Sequence, residues 1–128
     1  MPRKSLGIMT ESMFYTILAF QTGPCCGTEI AEYIEKLTRG RIQLGPGTLY
    51  TILSKFVEVG YVREIAVEGR KRTYELTMDG LEAYRNEIMR LQQCLEDAQS
   101  AGKNALQKGD VPDAGKDRNM AVAAVPAL

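Results

Sequence analysis

Gly45-Pro46-Gly47-Thr48-Leu49-Tyr50, with the stretch that follows it to Gly60, decides how this chain folds. Pro46 suits the first turn of a helix, where its missing N–H costs little because that amide has no intrahelical partner. Beyond it, Leu49, Ile52, Leu53, Phe56 and Val57 recur at helical spacing and form one apolar stripe. The other face carries Thr48, Thr51, Ser54 and Lys55, with Tyr50 beside it. An ordinary solvated helix face more often mixes Glu with Lys. A short face of hydroxyls, an amine and helix-start amides suits a phosphate-lined groove, since all of these groups donate hydrogen bonds.

Outward from this helix the pattern is consistent in both directions. Gly60 closes it, and two alternating runs follow, Tyr61 to Val67 and Arg72 to Leu76, joined by the basic turn Gly69-Arg70-Lys71-Arg72. Upstream, Thr10 caps a first helix with Glu11 in its first turn and Met13, Phe14, Ile17 and Leu18 as its buried stripe. Gln21-Thr22-Gly23-Pro24 ends that helix. A second helix starts near Gly27 or Thr28, turns Ile30, Ala31, Ile34 and Leu37 inward, and ends at Arg39-Gly40, with the glycine placed for a C-cap. Arg41 to Leu44 is a short run that suits a small strand. Helix, hairpin and basic hairpin tip in this order describe a winged helix-turn-helix: a mainly α fold with a β-hairpin.

Thr77 ends the hairpin and caps a long fourth helix. Leu81, Tyr84, Ile88, Leu91, Leu95 and Ala98 follow one another in alternating steps of three and four, a heptad seam. A domain this small has little core against which to bury so long a seam. The same helix of a second protomer is the expected partner, so Leu81, Tyr84, Ile88, Leu91 and Leu95 are the expected homodimer interface. Packing on the first helix of the same chain is the alternative. The expected division is residues 1–76 as a DNA-binding winged domain, 77–101 as a dimerisation helix and 102–128 as a disordered tail. Arg3 and Lys4 lie in a short N-terminal arm, and the apolar segment Met120 to Leu128 is either an accessory docking piece or an untended terminus.

Composition narrows the function classes. The 128 residues carry 16 Lys and Arg against 16 Asp and Glu, so nucleic-acid binding has to come from local charge and not from the net sum. There is no histidine, and Cys25, Cys26 and Cys94 have neither a disulfide framework nor metal-ligand spacing. No cofactor is expected. Carboxylates are scattered over helix faces with no phosphate loop and no activated cysteine, which argues against an enzyme. The absence of a signal peptide and of a membrane-spanning run leads to the expectation of a cytoplasmic protein with no membrane partner.

Three further stretches extend the pattern: Leu44 to Tyr50, then Glu58-Val59-Gly60-Tyr61-Val62, then Arg70-Lys71-Arg72-Thr73-Tyr74-Glu75-Leu76-Thr77-Met78-Asp79-Gly80. In this order they resemble the PadR family of transcriptional regulators, of the short class with one C-terminal helix. Met9 to Tyr15 is similar to the opening helix of one branch, and the resemblance spans roughly residues 6–95. It implies a homodimeric repressor that binds a double-stranded DNA operator. The third helix would enter the major groove, the wing would reach along the backbone or into the minor groove, and the fourth helix would make the dimer with the first. It also implies release by a small hydrophobic or aromatic effector. The chain departs from the family in having Gly27-Thr28 where Gly-Tyr is common, in the Cys25-Cys26 pair, and in lacking tryptophan.

The residue assignments follow. Thr48, Tyr50, Thr51, Ser54 and Lys55, with Arg70, Lys71 and Arg72, are the expected DNA contacts. Tyr50 either donates its hydroxyl to a phosphate or lies against the core. Arg72 either meets phosphate or pairs with an acid on the facing strand. Cys25 and Cys26 are expected to be small semi-buried residues, not a redox switch. Met13, Tyr15, Tyr84 and Ile88 either border an effector pocket at the protomer interface or fill that interface. The third helix lacks the Arg and Asn that read bases most directly, so sequence preference is expected to come partly from DNA shape. The competing function is a winged-helix module that binds protein and not DNA; such a module would have no need of Arg70-Lys71-Arg72.

Overall fold

In the computed structural model, residues 6–107 are described, with side chains described through 104. The order is α1 (Glu11–Leu18), a 3-10 turn (Ala19–Thr22), β1 (Cys25–Cys26), α2 (Gly27–Leu37), α3 (Pro46–Val59), β2 (Val62–Glu68), β3 (Lys71–Leu76) and α4 (Met78–Gln107). The strands form one antiparallel sheet in the order β1-β3-β2. The chain divides into two bodies, residues 1–87 and 88–128. The arm with Arg3 and Lys4, and the expected tail beyond 107 with its Met120 to Leu128 segment, lie outside the described residues.

The first body is a winged helix-turn-helix. Thr10 caps α1, its hydroxyl accepting the Met13 N–H at 3.2 Å. Ile17, Ile30, Ile34, Leu53, Phe56 and Val62 are fully buried and bind α1, α2, α3 and the sheet into one core. The buried Thr16 hydroxyl donates to Ser12 O at 2.8 Å, which removes the cost of an unpaired polar group there.

Three expectations are corrected. Arg41 to Leu44 is not a strand; the first strand is instead Cys25–Cys26. The cause lies at the end of α2, which stops at Leu37 with Thr38 as cap. There Arg39 N–H donates to Lys36 O at 3.3 Å and Gly40 N–H to Glu35 O at 2.8 Å, with φ of 53° and 79° at Arg39 and Gly40. The Thr38 hydroxyl then accepts the Ile42 N–H at 3.0 Å, so this chain curls where a ladder would need its amides free. Leu37 and Val57, expected inward, are both exposed, while Val59 is buried three residues past Phe56. Each misplaced residue sits at the edge of its stripe.

β2 and β3 pair from Val62↔Leu76 to Glu68↔Lys71, with an irregularity between Glu64 and Ala66 that leaves Ile65 as the extra residue. At the base of this hairpin three elements meet. The Thr77 hydroxyl donates to Gly60 O at 2.5 Å, its N–H donates to Tyr61 O at 3.0 Å, and its hydroxyl accepts the Gly80 N–H at 3.0 Å. Thr77 therefore caps α4 as expected and ties it to the turn that ends α3. Gly80 has no alternative here: a Cβ at that position would lie 2.1 Å from Tyr61 O and 2.7 Å from Leu76 Cδ1.

The second body, as far as it is described, is helix alone. α4 runs through Gly102 to Gln107, past the expected boundary at 101. Leu91 is 36% exposed, and Met89 and Ala98 are also exposed. A single helix has no core of its own, so its apolar positions find no partner among the described residues of that body.

Gly80→Ala is expected to lower stability by about 3 kcal/mol, the upper end of the range for overpacking, because the neighbour is backbone and cannot rotate away. Urea unfolding checks this; an unchanged midpoint would show that the α4 start is free to shift.

Candidate nucleic-acid interface

α3 begins after Gly45 in extended conformation and ends at Gly60 in the left-handed region, φ 83°. With Pro46 at N1, the next amides, those of Gly47 and Thr48, have no intrahelical acceptor and point out of the helix start. Gly45 and Gly47 are exposed, and a Cβ on either would meet nothing within 4 Å. Neither has the positive φ that demands glycine. Gly47 within a helix costs roughly 1 kcal/mol relative to alanine. No contact among the described residues returns that cost. What the glycines do achieve is a bare backbone at a helix start, accessible to an anion at close range.

Thr48, Tyr50, Thr51, Ser54 and Lys55 are all exposed on α3, and Tyr50 is 55% exposed. The Thr51 hydroxyl donates to Gly47 O at 3.0 Å, so its proton is engaged and only its lone pairs face outward. Thr48, Ser54 and Lys55 have no side-chain partner among the described residues. The Tyr50 ring is not buried in the core.

The hairpin divides its charges. Arg72 pairs with Glu64 across the strands at 2.8 Å, and the carboxylate raises the guanidinium pKa. Arg63 pairs with Glu75, its direct cross-strand neighbour. The facing-strand alternative for Arg72 is thus the one seen. Arg70 and Lys71, at the tip beside Gly69 with φ 62°, make no ion pair among the described residues. The hairpin therefore offers two cations outside ion pairs, not three, and one of them, Lys71, lies in the field of Glu29.

Pairing of β1 with β3, Cys25↔Tyr74 and Cys26↔Thr73, brings the start of α2 beside the hairpin. The Cys26 N–H donates to Glu29 Oε1 at 2.8 Å and the Cys26 sulfur accepts the Glu29 N–H, a capping box with a thiol in place of a hydroxyl. The Cys26 N–H first, then its thiol, with the charge of Lys71 as a smaller contribution, hold the Glu29 carboxyl below its ordinary range. Cys25 and Cys26 are both buried, more deeply than expected. Burial first, then the charge of Glu29, pushes the Cys25 thiol up to about 12, which makes it inert at neutral pH. Between the starts of α2 and α3 and the hairpin lies a groove of about 720 Å³, lined among others by Glu29, Ala31, Leu49, Arg70 and Lys71. The sequence gives no hint of it, because a strand of two residues leaves no periodic signal.

The other expected positions fall elsewhere. Met13 is in the core. Tyr15 accepts a hydrogen bond from Arg41 at 2.9 Å, with that guanidinium 5.8 Å from its ring centre and 3.8 Å from Glu11. Tyr84 stacks on Phe14 at 5.8 Å, and partial burial raises its pKa. Ile88 opens the second body. None of Met13, Tyr15, Tyr84 and Ile88 lines the groove. Leu81 is partly buried in the first body; Leu91 and Leu95 belong to the second. Among the described residues no cluster of three Cys, Asp or Glu is placed to hold a metal, and no helix is long and apolar enough to cross a membrane.

Comparison with solved structures supports the fold. A transcriptional regulator from Clostridium thermocellum superposes with a TM-score of 0.62 at 20% identity, over 69% of this chain and 89% of that one. H. salinarum RosR gives 0.58 at 18% identity, over 96% and 97%. A PadR family transcription regulator from Clostridium difficile R20291 gives 0.54 at 17%, over 73% and 96%. No curated protein sequence matches. Residues 16–86 match the transcriptional regulator PadR-like family, a stretch from within α1 through both helices of the helix-turn-helix and the hairpin into α4. With that match over more than half its length, the chain belongs to the PadR-like family of transcription regulators and is not an enzyme.

Proposed function

We propose that this regulator is a homodimeric repressor of the cytoplasm that binds a near-palindromic double-stranded DNA operator and is released by a small apolar effector. The observation that carries the DNA reading is the bare start of α3. Gly47 weakens the helix with no compensating contact among the described residues, and together with the N-cap Gly45 it leaves the first amides open to a phosphate. Thr48, Tyr50, Thr51, Ser54 and Lys55 then extend along the groove, and Arg70 and Lys71 reach the flanking backbone. Residues 1–76 serve as the DNA-binding head and 77–101 as the dimerisation helix. Leu81, Tyr84, Ile88, Leu91 and Leu95 form the seam, supported by the exposure of Leu91 on a helix without its own core. Two heads about one helical turn apart, roughly 34 Å, give the operator its two-fold form.

Gly47→Ala separates function from stability. The protein is expected to become more stable by about 0.5–1 kcal/mol while operator affinity falls. Thermal unfolding and a mobility-shift titration measure the two; a stabilised variant with undiminished binding would mean that this backbone does not touch DNA, as in a protein-binding module.

In the hairpin, Arg70→Ala is expected to weaken binding to all sequences alike and to lower the salt slope by about one unit per protomer. Glu64→Gln, which frees Arg72, is expected to strengthen binding and steepen the slope. Equal slopes in all three proteins would remove the hairpin from the interface.

Leu91→Asp is expected to yield monomers and to abolish operator binding in the same step. Analytical ultracentrifugation at micromolar concentration tests the first half; a monomeric wild type would overturn the dimer.

A further inference from the structure

We infer that the groove between the start of α2, the start of α3 and the hairpin binds a small amphipathic organic carboxylate, and that this ligand competes with DNA. Its volume of about 720 Å³ falls within the range of small-molecule sites. Ala31, Leu44 and Pro46 line it with accessible hydrocarbon over a floor formed by the buried Leu49, while Arg70 and Lys71 stand at its hairpin side. A DNA backbone has a use for the cations and none for the hydrocarbon. A ligand with an apolar body and an anionic end uses both.

The charges select the anionic group. Arg72 is already committed to Glu64, which leaves Arg70 as the main cation for the ligand, with Lys71 partly balanced by Glu29. The Arg70 guanidinium has the planar fork that a carboxylate fits. Glu29, on the α2 wall, is held ionised by the Cys26 bonds and opposes a second negative charge. A carboxylate with one charge therefore suits the site better than a phosphate with two. Once bound, it withdraws Arg70 and Lys71 from phosphate and places a negative charge beside the open amides of α3. The competition rests on the DNA reading above; the site itself does not.

The test uses the full chain and 4-phenylbutyrate, with 4-phenylbutyramide as its uncharged counterpart. Methyl NMR is expected to show saturable shifts at Leu44 and Leu49, and calorimetry at least tenfold weaker binding of the amide. Thr28 is exposed, lines the groove and lies outside the proposed DNA face. Thr28→Trp is expected to weaken phenylbutyrate at least tenfold while DNA binding persists. The double variant Arg70→Ala, Lys71→Ala alters only the exposed turn and is expected to lose the ligand as well. Saturating phenylbutyrate is expected to raise the DNA dissociation constant at least tenfold in the wild type and to leave it unchanged in Thr28→Trp. No saturable binding, binding undiminished by Thr28→Trp, or equal affinity for the amide overturns the site. Groove binding with no effect on DNA affinity overturns the competition. Groove binding by a chain with no DNA affinity at any salt supports the site and overturns the DNA reading instead.

Discussion

The contact of Thr77 with the Gly60-Tyr61 backbone is the joint on which the arrangement depends. One side chain and its amide engage the end of α3, the start of β2 and the start of α4 together. The Gly60 turn, with φ 83°, delivers Tyr61 O to that point, and Gly80 lets the first turn of α4 approach it. Hydrogen bonds of this kind contribute about 1 kcal/mol each, so their weight lies less in energy than in angle. They fix where the hairpin leaves α3 and where α4 leaves the hairpin. On the proposed reading, a head that takes its groove contacts from α3 and its flanking contacts from the hairpin needs the first angle held.

Much of this was legible because the signals are local and stereochemical. Pro46 at N1, Gly60 past the helix end, the Thr77 cap and the basic turn each state a backbone conformation within a few residues, and each appears where its chemistry demands. The dense part of the α3 stripe, Leu49 to Phe56, is buried for the same reason. Errors arose where geometry depends on distant partners. Leu37 and Val57 are apolar and in phase, yet no described element covers the edge on which they lie. Arg41 to Leu44 alternates as a strand would, but its Ile42 amide is taken by Thr38.

The site was legible by residue type and less so by state. The exposed face of α3 was read from its composition alone. The loss of Arg72 to Glu64 was one of two open outcomes, because the register that brings them together depends on the irregularity at Ile65, which nothing in the sequence marks. The groove was invisible for a related reason: it exists only because β1 joins β3, and a strand of two buried cysteines reads as loop. Both cysteines have structural work, Cys25 in the core and Cys26 as a helix cap, and this accounts for the pair without redox chemistry.

Charge placement bears on why a regulator of this form would act as a pair. The hairpin spends Arg63 and Arg72 on Glu75 and Glu64, which holds its strands in register and leaves only the tip cations free. On the proposed reading, Lys55 with these tip cations gives the described DNA face of each head on the order of three cations for phosphate, too few for tight binding by that face alone at physiological salt. Two heads joined at a fixed spacing change this, because once the first is seated the second binds at a high effective concentration. The gain disappears when the spacing is wrong. On the proposed reading, the neutral composition is then functional: a weak head scarcely binds DNA alone, and affinity depends on the joint between the two.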